Sequence, residues 1–243
     1  ELDLELALGA ARMLREEHDF RGYIHLKTIP EADPELVHQA GLYADRVSIN
    51  VELPTDAGLV RLAPDKSARQ IEGAMGKVKS DIVEAKDAKK RFKHAPRFAP
   101  AGQSTQMIVG ADAATDADIV GKASRLYDNF RLRRVYYSAF SPIPDASAVL
   151  PLKRPPLIRE HRLYQADWLI RHYGFEAGEI VAGQVVDRGL VLLQRCGVVL
   201  QAAQLVARRG GLSGSHQTAG SGIARGGDCF AVVIVFHQVD GRD

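Results

Sequence analysis

The order and spacing of apolar residues point to an α/β protein on parallel strands, arranged as part of a (βα) TIM-like barrel. Helical and strand patterns alternate along residues 4–173. The first two strands are joined by a helix of about a dozen residues, the crossover that a parallel pair needs and a hairpin does not. The strands are also two-faced: Val47, Ile49 and Val51 oppose Ser48, Asn50 and Glu52, while Ile24 and Leu26 oppose His25 and Lys27. Central strands of a doubly wound sheet are apolar on both faces. One polar face suits a barrel wall with helices outside and ligand-holding groups inside, or else groups that satisfy one another or meet solvent at an incomplete edge.

Residues 4–17 read as a helix because Leu4, Ala7, Leu8, Ala11 and Leu14 recur at three- and four-residue spacing. Gly22 releases the chain into a strand over 23–29. Asp33 before Pro34 is a helix cap with proline at the first helical position, and Leu36, Val37, Ala40 and Tyr43 form that helix's apolar face. A strand over 46–52 leads into a loop through Pro54, Gly58 and Pro64, followed by a longer helix marked by Ile71, Met75, Val78, Ile82 and Ala85. Pro96, Pro100 and Gly102 end regular structure before a short strand at 105–109. The next helix begins near Thr115 or Asp116 and carries Ile119, Ala123, Leu126, Tyr127 and Phe130. A fourth strand, 134–140, is closed by Pro142 and Pro144. Beyond the proline-rich stretch 151–156, Leu163, Ala166 and Ile170 mark a helix over 159–173 with Gly174 as its C-cap.

Residues 184–243 differ in character from residues 1–183. They hold no lysine, glutamate or proline, yet 10 of the 22 glycines and both cysteines. The break marks a domain boundary or a shifted reading frame. Within it Leu190 to Val206 has a helical pattern, Phe230 to Phe236 a strand pattern, and Gly210 to Gly227 reads as loop.

At 243 residues, 46% hydrophobic and 26% charged, the chain has the composition of a globular protein with one large core or two smaller ones. The lack of an 18-residue apolar run argues against a membrane span, and no membrane is expected among the partners. Glu1, Asp3 and Glu5 stand where a basic leader would begin, and Cys196 and Cys229 make neither a disulfide framework nor a cysteine metal site, so a cytoplasmic location is expected. Glycine-rich phosphate loops, His-Glu-x-x-His and Gly-x-Ser-x-Gly are absent, which removes the simplest nucleotide, zinc-hydrolase and serine-hydrolase readings. Net charge is only +2, but residues 77–97 carry eight basic against three acidic side chains. That run is either a solvated helix and loop or a phosphate-facing surface.

Five segments carry a resemblance: Leu14 to His18, Phe20 to Lys27, Tyr43 to Asn50, Gln103 to Gly110, and Leu163 to Leu169 ending in Tyr173-Gly174-Phe175. Over residues 10–180 the chain resembles radical S-adenosylmethionine (SAM) proteins described as DNA modification or repair proteins. The resemblance implies a partial barrel truncated on its N-terminal side, with residues 1–183 supplying the third to sixth strands and flanking helices, and an irregular tail over 184–243. It implies SAM and a [4Fe-4S] cluster as cofactors. The cluster's Cys-x-x-x-Cys-x-x-Cys ligands would precede Glu1, so no metal site is expected on this chain and the chain alone should be inactive. An intact enzyme would take electrons from a flavodoxin or ferredoxin, cleave SAM reductively and abstract hydrogen from an unidentified substrate, nucleic acid being one candidate. The DNA-binding region that the family tends to carry after its Tyr-Gly-Phe motif has no recognisable counterpart here.

By the same resemblance the cofactor-binding candidates are Lys27, Ser48, Asn50, Glu52, Gln106, Gly110 and Asp112. Ser48, Asn50 and Glu52 fall where a barrel strand meets the ribose or methionine part of SAM. Gln106, Ile108 and Gly110 resemble the Gly-x-Ile-x-Gly strand that lies against adenine, with Gln106 in place of the first glycine, and Asp112 would cap or contact the adenosine. Other duties stand beside these: Asn50 as a satisfied interior amide, Gly110 as a turn glycine, Asp112 as a helix-approach residue, and Lys27 as the ion-pair partner of Glu52. Ser138 is a weaker substrate-contact candidate. The second functional reading is a non-catalytic α/β protein that binds nucleic acid through residues 77–97 and the cluster Arg131, Arg133 and Arg134. A truncated barrel would also leave the edge of its first strand exposed.

Overall fold

The structure is a computed structural model describing residues 2–142, 149–181 and 232–234. In chain order the elements are α1 (Leu2–Glu16), β1 (Ile24–Thr28), α2 (Pro34–Tyr43), β2 (Arg46–Ile49), α3 (Asp56–Leu62), α4 (Ala68–Arg91), β3 (Gln103–Val109), α5 (Asp116–Phe130), β4 (Arg134–Ala139), α6 (Leu157–Tyr173), α7 (Ala177–Val181) and β5 (Val232–Ile234). The expected tail helix and loop lie outside the described residues. Among these residues no helix is long and apolar enough to cross a membrane.

Local chemistry sets most boundaries. The Asp33 side chain accepts from the Glu35 backbone N–H at 2.7 Å, with Pro34 in the first turn of α2. α5 begins on a capping box: Thr115 accepts from the Asp118 N–H while Asp118 accepts from that of Thr115. Gly174, at φ +68°, ends α6 in the left-handed region. The stretch from Pro54 to Pro64, expected as loop, contains α3; Thr55 caps it by accepting from the Gly58 N–H at 3.0 Å. The strand expected to reach residue 52 stops at Ile49, and Glu52 stands at φ +61°, outside the strand conformation. β3 starts two residues earlier than expected. Its first residue, Gln103, is held by donating to the Met75 carbonyl within α4 and to the Phe130 carbonyl at the end of α5.

All strand pairings are parallel, in the order β4-β3-β2-β1-β5. From β1 to β4 each new strand is added on the same side, and crossovers of one hand then place every connecting helix on the same face. The core shows this directly. Ile24, Leu26, Val47, Ile49, Met107, Val109, Val135 and Tyr137 share one cluster with Leu4, Ala40, Met75, Ile119, Leu126 and Leu163 of the helices. The alternate strand residues point the other way, onto a face that carries His25, Lys27, Arg46, Ser48, Ser104, Gln106, Arg134 and Tyr136.

The two edges of the four-strand unit are handled differently. Along β4 the outward N–H groups of Val135, Tyr137 and Ala139 donate to the Tyr127 hydroxyl (2.9 Å), the Tyr164 hydroxyl (3.0 Å) and the Glu160 carboxylate (3.1 Å). Side chains of α5 and α6 thus occupy a ladder that another strand would otherwise seek. At the other edge, β1 was expected to be bare; Ile24 to Leu26 instead pair with Val232 to Ile234. Arg15 fixes the start of β1, donating to the carbonyls of Phe20 (2.6 Å) and Gly22 (2.9 Å) and to Asp45 (2.7 Å), which also accepts the Ile24 N–H.

Candidate functional site

Because every strand runs the same way, the residues named from sequence gather along the polar face and at one end of the sheet. Register aligns Lys27 with Ser48, Ser48 with Ser104, and Ser104 with Arg134, a single polar row across four strands. The row has a cation at each end and two hydroxyls between. Lys27 is exposed and its ammonium meets no described partner. Ser48 and Asn50 are buried, and Gln106, half-buried, lies in register with Tyr136. No described residue forms a side-chain hydrogen bond with Asn50 or Gln106, which leaves two amides able to donate and accept.

Three buried polar atoms on this face lack partners: His25 Nε2, Ser104 Oγ and Arg134 Nε, with Ser104 itself 0% exposed. Buried polar groups are normally satisfied, so their concentration on one face marks a place where polar contacts remain to be made. His25 is held neutral there. Burial, and next the charge of Arg46 in the adjacent register position, pull its pKa down to about 4. Arg46 reaches the Ala101 carbonyl (3.2 Å) and the Tyr136 hydroxyl (3.5 Å), crossing β3 to do so. Arg134 stacks over Tyr136 and Tyr164.

Three of the named residues have duties elsewhere in the protein, Glu52 and Asp112 through their carboxylates and Gly110 through its backbone. Glu52 does not pair with Lys27; its carboxylate meets Lys66 at 2.8 Å, tying the end of β2 to the approach of α4. Its left-handed backbone removes it from the face shared by Ser48 and Asn50, while its N–H and carbonyl bond to Gln106 and Ile108 of β3. Asp112 accepts from the Thr55 hydroxyl (3.3 Å) and the Ala114 N–H (3.1 Å), holding the start of α3. Gly110 sits at φ +84°, and a Cβ there would stand 2.7 Å from Pro155. These three shape the rim. Gly110→Ala should cost about 1–2 kcal/mol from its left-handed backbone alone, read as a lowered urea midpoint; an unchanged midpoint would contradict this role.

Ser138 lies on the polar face, in register with Ile108. Arg134 separates from Arg131 and Arg133, with which the sequence groups it: it belongs to the polar face, while the other two line a groove near the start of β4. Sequence reading missed Arg46, Ser104 and Tyr136 as members of the face. Strand parity carries a signal for each, since Arg46 alternates with Ser48, and Ser104 with Gln106, but only strand pairing brings them into one row. Among the described residues no three His, Cys, Asp or Glu side chains gather as a metal site. No family model, curated protein or solved structure matches the chain.

Proposed function

We propose that residues 2–181 are the later part of a radical SAM barrel and that their polar sheet face receives the adenosyl and methionyl groups of SAM. The observation supporting this is the one-faced build: helices and core lie on one side of the sheet, and the other side presents a polar row with unpartnered buried atoms. Barrel enzymes place their ligand groups inside a wall of this kind.

The described residues include no cysteine, so they do not fit a [4Fe-4S] cluster, and its electron chemistry belongs to ligands beyond them. They do fit a polar nucleoside. Asn50 and Gln106 can each donate to and accept from ribose hydroxyls or an adenine edge. Lys27 supplies a point charge for the methionyl carboxylate, and Ser48 a hydroxyl beside it in register. Bound SAM supplies radical chemistry when reduced; these residues bind it and orient its 5′-carbon.

Calorimetric titration of the full chain with SAM tests the reading, with adenosine and methionine as partial ligands. Saturable SAM binding should weaken roughly fivefold to tenfold in Asn50→Ala and in Gln106→Ala, as for loss of one neutral hydrogen bond or slightly more, with circular dichroism unchanged. Absence of saturable binding, or binding indifferent to both substitutions, would overturn it.

A further inference from the structure

Two basic segments that are distant in sequence meet in the fold. The second half of α4 and the passage from α5 into β4 wall a groove of about 800 Å³ beside Gly102, at the end of the sheet opposite the candidate site. Lys79, Lys86, Lys89 and Lys90 stand on one wall and Arg131 and Arg133 on the other, with Asp87 the acidic residue among them. Helix electrostatics account for part of this, because basic residues in a last turn suit the negative end of α4. They do not account for the two arginines of the facing wall.

Few of these charges are neutralised. Lys90 pairs with Asp87 at 2.8 Å, but that pair is exposed and weak. Lys79 and Lys89 donate to the neutral carbonyls of Asn129 and Ala95. The side chains of Lys86, Arg131 and Arg133 make no ion pair or hydrogen bond with a described residue. Like charges facing each other across a groove repel, and a polyanion between them removes that cost.

The shape narrows the choice of polyanion. Lys79 and Lys90 are eleven residues apart on one helix, about 16 Å along its axis. That span holds several phosphates of a strand at a rise of ~3.4 Å per nucleotide, of which Lys86, Arg131 and Arg133 can neutralise about three. Between the walls Ile82, Phe130 and Leu132 give an apolar floor. Base faces are free to meet such a floor in a single strand, whereas a duplex keeps them stacked inside. A concave site also fits a strand better than a flat bilayer.

We propose that this groove binds the backbone of single-stranded nucleic acid, with phosphates on Lys86, Arg131 and Arg133 and bases toward Phe130. The proposal is independent of the SAM reading, since it concerns the opposite end of the sheet and its test uses no cofactor. Fluorescence anisotropy of the full chain with a labelled oligothymidylate should show binding that weakens roughly twentyfold between 50 and 200 mM salt, as for about three neutralised phosphates.

Lys86→Glu with Arg133→Glu should weaken binding by roughly tenfold or more at low salt. Arg131→Gly separates binding from folding. Arg131 caps α5 at φ +52°, a conformation glycine adopts freely, so this variant should melt no lower than the parent while binding roughly threefold to tenfold more weakly. Equal affinity in both variants would overturn the proposal. So would preferential binding to phosphatidylserine vesicles, to polyglutamate or to a duplex of the same length.

Discussion

Asp167→Ala should lower the unfolding free energy by about 3–5 kcal/mol, the range for breaking a buried charged pair from one side. Asp167 is 0% exposed on α6 and receives two donors: Arg171 Nε at 2.7 Å and the Tyr127 hydroxyl. Tyr127 in turn accepts the Val135 N–H of the β4 edge at 2.9 Å. Burial, followed by the Asp167 charge, holds the Tyr127 phenol far above its ordinary pKa, so it remains a donor to Asp167. Removing the carboxylate strands the Arg171 guanidinium and frees Tyr127 to turn from the strand. Asp167→Asn keeps the volume and one acceptor and should cost less. Tyr127→Phe should cost about 1–3 kcal/mol by orphaning the Val135 N–H. Combined with Asp167→Ala it should add less than its own value, because the two residues share one network. Urea unfolding followed by circular dichroism measures the four variants and the parent. An Asp167→Ala midpoint equal to the parent's would refute the edge-sealing role.

The same network shows where sequence reasoning reached and where it stopped. The stripe of α4, Ile71, Met75, Val78 and Ile82, is legible because it repeats over several turns, and all four are buried. The seven-residue α3 is too short for a periodic signal; its one clear mark, Thr55 before Asp56, was masked by the prolines on either side. Strand parity separated the two faces of β1 and β2 correctly. It could not reveal that Lys27, Ser48, Ser104 and Arg134 form one row, since that depends on register between strands far apart in the chain. Tyr164 and Asp167 have a structural duty at the β4 edge that only the docking of α6 discloses. Glu52 failed as a member of the polar face because a left-handed backbone broke the alternation on which its placement rested.

The second large effect concerns His25 and acid. Its ring faces Arg46 on β2, meets Tyr23 edge-on and shares the face with Lys27, and among the described residues no carboxylate pairs with it to favour a positive charge. In the unfolded chain histidine takes up a proton near pH 6.5, whereas here it does so at about 4. Between those values the unfolded state binds more protons than the folded one, so stability falls as pH falls. The contribution is fully present above about pH 6.5 and lost by about pH 4, and with the ring partly accessible it should amount to roughly 2–3 kcal/mol. His25→Gln removes the titration and keeps a polar group of similar size. Its urea midpoint should therefore decline less than the parent's between pH 6.5 and 4.5, while carboxylates elsewhere titrate equally in both proteins. Parallel pH profiles for the two would mean that His25 accepts its proton without penalty, and would refute the cost that burial and the charge of Arg46 place on the imidazolium.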